Sequence, residues 1–598
     1  MRLPALIALA SLLALGQAGA QNSTRKVRAE PSAQAARAGS AVRWRADLGA
    51  ALAEAATSGR PVFWYVPTLR GSRMDRKPEI DRYMLAGPFS WPGLVDLLNA
   101  RFVPVRQPAG RDEQQRYGVE PLRFVEPGFL VLGPDGSVLA RIDEITTLCP
   151  DWFVERLAAP LGEAAGEDLA AARAWFDRLV ALRDAGGGGT GAEARFVQGA
   201  VAFWSGREAE AVELWSRLAA DLPEDPWSFK AAAEAEGHGP IVHGFEPPWS
   251  RLPEPVLAGP GPRGTTAPPG VRGEAELAAA ALTFFRAMQR QDGGFVDSIY
   301  DFGGTDSLPN VHVAVTALAA WAMLEILSPR PRAEVADAEE RCLGRAFDYA
   351  TDDGNLNLED RDELIWAYLY RARLCARWLD LRPEDAASVR PALEAAVRAI
   401  AGMQQEDGAW FHEYANPFVI AGCLVALAEA QRHGVPIPDT VPDRGVLALL
   451  KCRAEDGAIS YGYSPRGRPR AQIAAGVGRM PLAETALSDW GHGIEGALER
   501  AVAASFEHHG ELAQVRKYDD HASRLGYGGF FFWYDVHARG EAILRLEDPA
   551  ARARAQAAQR EQILALPEID GCFVDSHELG RVYGTAMAWI CLTSAQRR

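Results

Sequence analysis

The sequence predicts a multidomain protein: an α/β domain, then an all-α segment, then an α/α toroid of about six helix pairs. Three observations carry this. Helix and strand patterns alternate near the N-terminus and end in a hairpin. A Pro/Gly-rich stretch interrupts the middle of the chain. A helix-stop motif, "AMQRQDGGF" (287–295) and again "GMQQEDGAWF" (402–411), recurs towards the C-terminus, and such internal repetition sets the architecture.

At 598 residues the chain exceeds one ordinary core, and 48% hydrophobic with 24% charged residues suits folded domains. A formal net charge of −16 argues against a general nucleic-acid or anionic-membrane binder. Residues 1–20 read as a secretory signal peptide: Arg2, an apolar run from Ala5 to Leu15, and Ala18-Gly19-Ala20 before the cut. That run is too short for a membrane span. The mature protein is expected to be exported, periplasmic or secreted, with no stable membrane span. Residues 21–40 are small and polar and read as a flexible tail. Of the seven cysteines, Cys342, Cys375, Cys423 and Cys591 sit in Ala/Leu-rich helical sequence, as buried thiols do, rather than in a disulfide framework.

The first domain, 41–160, opens with a helix pattern ending at Ser58-Gly59, followed by the strand run "PVFWYV". A second helix pattern leads into "RFVPV". "GFLVLGPDGSVLARI" is two strands joined at Pro134-Asp135-Gly136, and "DWFVERLAAPL" closes the domain as a helix. This order resembles the thioredoxin fold. The resemblance implies a redox Cys-x-x-Cys after the first central strand, but Tyr65 to Lys77 holds no cysteine. Pro127 occupies the place of the family's cis-proline. Without a thiolate nucleophile the domain is expected to be redox-inactive. Residues 161–245 are helical, and "ARFVQGAVAFWSGREAEAVELWSRLAADLPEDP" resembles a tetratricopeptide hairpin, with Gly199 allowing close helix approach and Trp215 filling the core. One such hairpin cannot bury its own face and should lean on its neighbour. Residues 246–273 are the Pro/Gly-rich linker.

From 274 to 598 the stops fall at Asp292, Asp353, Asp407, Asp456, Gly528 and Asp570, spaced by 42 to 72 residues. That leaves room for a loop and two helices per unit. Gly permits a left-handed turn at the helix end, and Asp bonds the backbone of the turn that follows. The next aromatic covers the helix junction, and small residues in "VHVAVTALAAWAML" and "YGTAMAWICL" let inner helices pack closely. These stops and inner helices resemble the repeats of squalene/hopene cyclases and of protein prenyltransferase β subunits. The resemblance implies an α6/α6 toroid around a central cavity.

What those families imply chemically meets departures. The nearest match to a cyclase Asp-x-Asp-Asp is "EDRDE", with Asp360, Asp362 and Glu363, which opens a helix where carboxylates are at home for dipole reasons. The zinc expected of a prenyltransferase would need ligand spacing, and Asp570, Cys572 and His577 do not provide it. His238 and His243 lack a third ligand. No metal and no cofactor is assigned. The candidate cavity residues are His412, Glu413, Asp489, His492, Asp535, His537 and Tyr583, which follow stops or lie on helices. They either cap helices or face the toroid mouth. The reading that follows is an exported binding or scaffold protein, taking an unidentified protein partner or an apolar or carbohydrate ligand. The alternative is an enzyme acting in the cavity on an isoprenoid lipid or a polysaccharide.

Overall fold

The computed structural model describes the chain except residues 1–29, 71–77, 120–123, 125, 144, 146–147, 163–164, 238–272, 299, 301–306, 413, 467–468, 470–471, 514–515, 517–530, 569–570, 577–578 and 597–598. The expected signal peptide, most of the tail, nearly all of the linker, and the stops at Gly528 and Asp570 lie outside the described residues. The rest is mostly helical, with a small mixed four-stranded sheet.

In the N-terminal half, β1 (Val62–Val66) pairs parallel with β2 (Val103–Arg106) and antiparallel with β3 (Gly128–Leu132), which pairs antiparallel with β4 (Val138–Ile142). The order is β2-β1-β3-β4. Flanking helices are α1 (Leu48–Ser58), α2 (Pro78–Ala86), α3 (Pro92–Arg101), α4 (Arg111–Tyr117) and α5 (Pro150–Leu161). Side chains of a strand alternate between faces, so β1 feeds two cores. Val62, Trp64 and Val66 pack with Leu48, Ala51 and Ala55 of α1, while Phe63 and Tyr65 face Phe89, Phe129 and Phe153. The Glu126–Pro127 peptide bond is cis.

The second of these cores does not stop at residue 160. It continues through α6 (Gly166–Asp184), α7 (Ala192–Trp204), α8 (Glu208–Asp221) and α9 (Pro226–Ala235) as far as Val296. Helices α7 and α8 touch at Gly199, where an added Cβ would stand 2.3 Å from Trp215 Nε1. Trp215 Nε1 donates to Phe196 O at 3.1 Å. Lys230, 1% exposed, joins sheet domain and helices: it donates to Glu234 and to Ala86 O and lies over the rings of Trp91 and Phe196. Part of the expected flexible tail belongs to this body too. Ala35 and Ala38 are buried against Ala86, Ala219, Ala232 and Ala233, small residues that allow backbones to approach.

The C-terminal half alternates outer and inner helices. The outer ones are α10 (Glu274–Met288), α12 (Asp337–Thr351), α14 (Ala386–Met403), α16 (Thr440–Leu450), α18 (Ala497–Glu507) with the short α19 (His509–Leu512), and α21 (Pro549–Leu564). The inner ones are α11 (Leu308–Leu327), α13 (Leu364–Leu381), α15 (Pro417–Arg432), α17 (Met480–Asp489), α20 (Phe532–Leu544) and α22 (Gly580–Ser594). Each inner helix packs on the next, and α22 packs back on α11, so six units close a ring. Helix α11 is long and apolar enough to cross a bilayer, yet 89% of that window is buried inside the ring.

The repeated stop is one backbone device. Gly293, Gly408, Gly457 and Gly571 have φ of +97°, +90°, +90° and +85°. Their N–H groups donate to the carbonyls of Arg290, Gln405, Ala454 and Glu568. Asp292, Asp407 and Asp456 accept from the amide two residues on, at 3.0, 3.1 and 3.0 Å. The preceding glutamine joins units. Gln289 Nε2 donates to Gly293 O and to Cys342 O of α12, while its Oε1 accepts from Arg345. Gln404 does the same with Gly408 O, Val441 O of α16 and Arg444. The second unit departs: Asp352, not Asp353, takes the amide bond, and Asp353–Asn355 forms a 3-10 turn in which Gly354 does not adopt a positive φ.

The first stop also docks the N-terminal half. Arg290 pairs with Asp292 at 2.6 Å and with Glu208 of α8 at 3.7 Å, and lies over Phe203. Gly206, at φ +76°, leaves the space that Asp292 occupies.

At Gly408 a Cβ would stand 2.3 Å from Arg444 O, whereas at Gly402, in α14, it would meet nothing. Gly408→Ala is expected to destabilise by about 2 kcal/mol or more. Gly402→Ala is expected to stabilise by about 0.5–1 kcal/mol through helix propensity. Urea denaturation of both variants checks the pair.

Candidate functional site

The inner helices run parallel, since residues of their first turns meet one another and residues of their last turns do likewise. At the N-terminal end, Trp366 touches Tyr534 with ring centroids 5.9 Å apart, Phe418 touches Tyr534 at 6.0 Å, and Phe531 touches Tyr583 at 6.2 Å. Between them lies a cavity of about 50 Å³. Tyr300, Trp366, Tyr370, Phe531, Tyr534 and Tyr583 supply aromatic walls, Val311, Ala314, Val315, Leu318 and Leu579 aliphatic ones, and Glu363 and His412 its acid and its imidazole. Spacing explains the lining. Residues 311, 314, 315 and 318 share one face of α11, and 363, 366 and 370 share one face at the start of α13.

Glu363 is held by its neighbours. Asp360 accepts from the amides of Asp362 (2.9 Å) and Glu363 (3.2 Å), from Asn310 Nδ2 (2.7 Å) and from Ser307 Oγ (3.2 Å). Its carboxylate is thus spent on capping α13 and tying it to α11. Glu363, 2% exposed, is the one acid of "EDRDE" that reaches the cavity. His412 comes from a two-residue ladder, β5 (Phe411–His412) with β6 (Tyr414–Ala415). Its Nδ1 lies 3.0 Å from Asp362 O and 3.5 Å from Glu363 Oε1. A carbonyl only accepts, so Nδ1 carries the proton. Burial pushes the phenols of Tyr370, Tyr534 and Tyr583 up, leaving them neutral donors.

Below the cavity the ring axis is filled by ion pairs. Arg373 holds Glu429 through Nε (3.0 Å) and Nη2 (2.8 Å), and Glu541 at 3.0 Å. It donates through Nη1 to His537 Nε2 at 2.8 Å, which makes that imidazole neutral. Arg545 binds both oxygens of Asp489 and also Glu541. Arg377 binds Glu325, which also accepts from Trp321 Nε1. Directed arginine bonds neutralise these carboxylates, and Arg545, the C-cap of α20, also meets the negative end of that helix dipole.

The sequence-predicted residues therefore divide by depth. His412 and Tyr583 line the cavity together. Glu413 lies outside the described residues, as do His577, His238 and His243. Asp489 and His537 belong to the ion-pair floor instead of the mouth: Asp489, the last residue of α17, takes Arg545, and His537, in the second turn of α20, takes Arg373. His492 is exposed in the loop beyond α17. Asp535 is buried near the start of α20, where its charge acts on Arg479, and it is not part of the cavity wall. Glu363 and the aromatic walls other than Tyr583 were not among the predicted residues, although the 363/366/370 spacing carried the signal. All seven cysteines are buried and free, and burial pushes the thiols of Cys342 and Cys375 up to about 11 and about 12. Among the described residues no three His, Cys, Asp or Glu side chains come together as metal ligands.

No family model matches the chain. No curated protein matches it either. Solved structures similar to it include the type II terpene cyclase MstE from Scytonema, 14% identical, TM-score 0.33, covering 54% of this chain and 98% of that one. A variant of the same enzyme in complex with merosterolic acid A is also 14% identical, with TM-score 0.32, covering 54% and 96%. Likeness of this degree assigns neither an activity nor any residue's role.

Arg373→Met would leave Glu429 buried without its bidentate cation and Glu541 with Arg545 alone. It is expected to cost about 3–5 kcal/mol, measured by urea denaturation. Arg217→Ala, which removes an exposed pair with Glu213, should cost under about 0.5 kcal/mol.

Proposed function

We propose that this is an exported binding protein whose helical ring takes a small apolar group of its ligand into the aromatic cavity. In this reading the N-terminal half is a redox-inactive thioredoxin-like domain with a tetratricopeptide-like hairpin, serving as the scaffold that carries the ring. The observation that carries the binding function is the cavity wall: six aromatic and five aliphatic side chains, with polar chemistry confined to Glu363, His412 and the phenol hydroxyls. Such walls with few polar groups are what ligand sites offer. Size argues for binding over enclosure. A cavity of about 150 Å³ admits benzene, and this one is about 50 Å³, enough for a small branched group but not for a whole polycyclic skeleton. For the N-terminal domain, strand order, the hairpin turn and the cysteine-free loop after β1 support the thioredoxin-like reading.

A second reading has one observation behind it. Glu363 is a buried carboxyl facing apolar walls, with the His412 imidazole 3.5 Å away. That arrangement suits a proton donor acting on an isoprenoid or similar ligand.

The test begins with native against denaturing mass spectrometry of the mature protein from its own host, to identify a ligand lost on unfolding. Ala314→Phe, filling the cavity, is expected to lower affinity for that ligand at least about tenfold, or about 1.4 kcal/mol, with the fold retained. Glu363→Gln should leave affinity within about threefold, under about 0.7 kcal/mol. Chemical conversion of the ligand by wild type, lost in Glu363→Gln, would replace the first reading with the second. Undiminished binding by Ala314→Phe would refute both.

A further inference from the structure

Six of the seven residues of "DGGFVDS" (292–298) in the first unit recur in the sixth as "DGCFVDS" (570–576). In each, the Asp five residues beyond the turn Asp caps an inner helix other than its own. Asp297 Oδ2 accepts from Val582 N at 3.0 Å, in the first turn of α22. Asp575 Oδ2 accepts from Trp533 N at 2.9 Å, in the first turn of α20. Gly580, at φ +80°, makes room for the first of these: a Cβ there would stand 2.5 Å from Asp297 Oδ2. The same carboxyl device therefore fastens the sixth unit to both neighbours, the first unit by Asp297 and the fifth by Asp575. Other joints use other chemistry at this position. In the third unit it is His412, on the start of α13, and in the fourth it is Tyr461, packed on Phe418 at the start of α15.

Both carboxyls are buried, 1% and 0% exposed, and the second oxygen of each, Oδ1, is buried without a hydrogen-bond partner. Among the described residues, the charge facing Asp297 is Arg581 of α22. Asp575 faces Arg516, with Tyr583 and Cys591 of α22 also within its influence. The two seams border the cavity. Tyr300 of the first unit, Phe531 before α20, and Tyr583 of the sixth form adjoining walls, with centroids 5.6 and 6.2 Å apart.

We propose that the sixth unit is the moving part of the ring, a hinged wall latched by Asp297 on one side and Asp575 on the other, whose release opens the cavity. That the opening serves a ligand rests on the binding function above; the latch itself does not.

Burial is the main cause that pushes these carboxyls up, to about 6 for Asp297 and about 7 for Asp575, from an ordinary 3.8. The shut ring holds the proton, and opening to water releases it. The latches' contribution is therefore complete below about pH 4 and is lost as pH rises through the raised values. Opening should increase by up to about tenfold per pH unit for each carboxyl exposed, then level off above about pH 7.

Hydrogen–deuterium exchange on the full-length protein between pH 5 and pH 8, corrected for intrinsic rates, tests this. Exchange in α22 is expected to rise at least about tenfold relative to α15 between pH 5 and pH 7. Asp297→Asn with Asp575→Asn, which keeps a neutral side chain at every pH, should flatten the rise. Corrected α22 exchange that ignores pH in wild type would overturn the latch, and so would a double variant with the wild-type profile. Should the double variant fail to fold, the wild-type profile decides alone. Ligand binding that survives Ala314→Phe, alongside the expected exchange profile, would fault the binding function and leave the latch standing.

Discussion

The ring depends on what one glutamine amide does at a helix end. In the first and third units its N–H groups reach the carbonyl of its own turn and a carbonyl on the next outer helix, while its oxygen takes an arginine from that helix. A helix end exposes polar backbone that must be satisfied before it can be buried. Here the same side chain satisfies it and fixes the next helix. The turn glycine makes this possible, because the neighbouring outer helix presses its backbone where a side chain would begin. Repetition of a joint with a fixed turning angle is what closes a chain of helix pairs into a ring.

Closure then sorts the interior by depth. Side chains nearer the N-terminal ends of the inner helices make an apolar, aromatic chamber, and side chains further along make a layer of paired charges. Charged groups this far from water are tolerable only because each carboxylate meets an arginine with directed bonds. Outside the ring, the N-terminal sheet and its helices share one core that ends at Val296, on the ring's own first loop. Arg290 bonds at once to the ring's turn and to α8. The two halves are thus joined by packing at the first unit as well as by chain.

Much of this was legible in the sequence. Local rules gave the helix stops at Asp292, Asp407 and Asp456, the sequence of helices and strands along the N-terminal domain and the buried thiols, because each depends on residues adjacent in the chain. The second stop misled since Asp352 and Asp353 offer the same chemistry one residue apart, and only the packed turn chooses between them. Glu363 looked like a helix-opening charge, a description that fits Asp360 beside it; which of the two turns inward depends on the ring being closed. Asp489 and His537 have suitable chemistry but meet arginines of neighbouring or facing helices, and which side chains meet inside the ring is set by its closure. That the helical hairpin needs a neighbour was legible, but the residues that meet in the common core were not, for contacts such as Trp91–Trp175 and Lys230–Ala86 join distant positions.

The layer of paired charges has a topological consequence. Because Arg373 of α13 reaches Glu541 and His537 of α20 on the facing side of the ring, and Arg377 and Arg545 tie neighbouring helices beside it, the described residues form a floor beneath the chamber. On the binding function proposed above, such a floor favours a terminus or a protruding substituent of the ligand over a polymer passed through the ring.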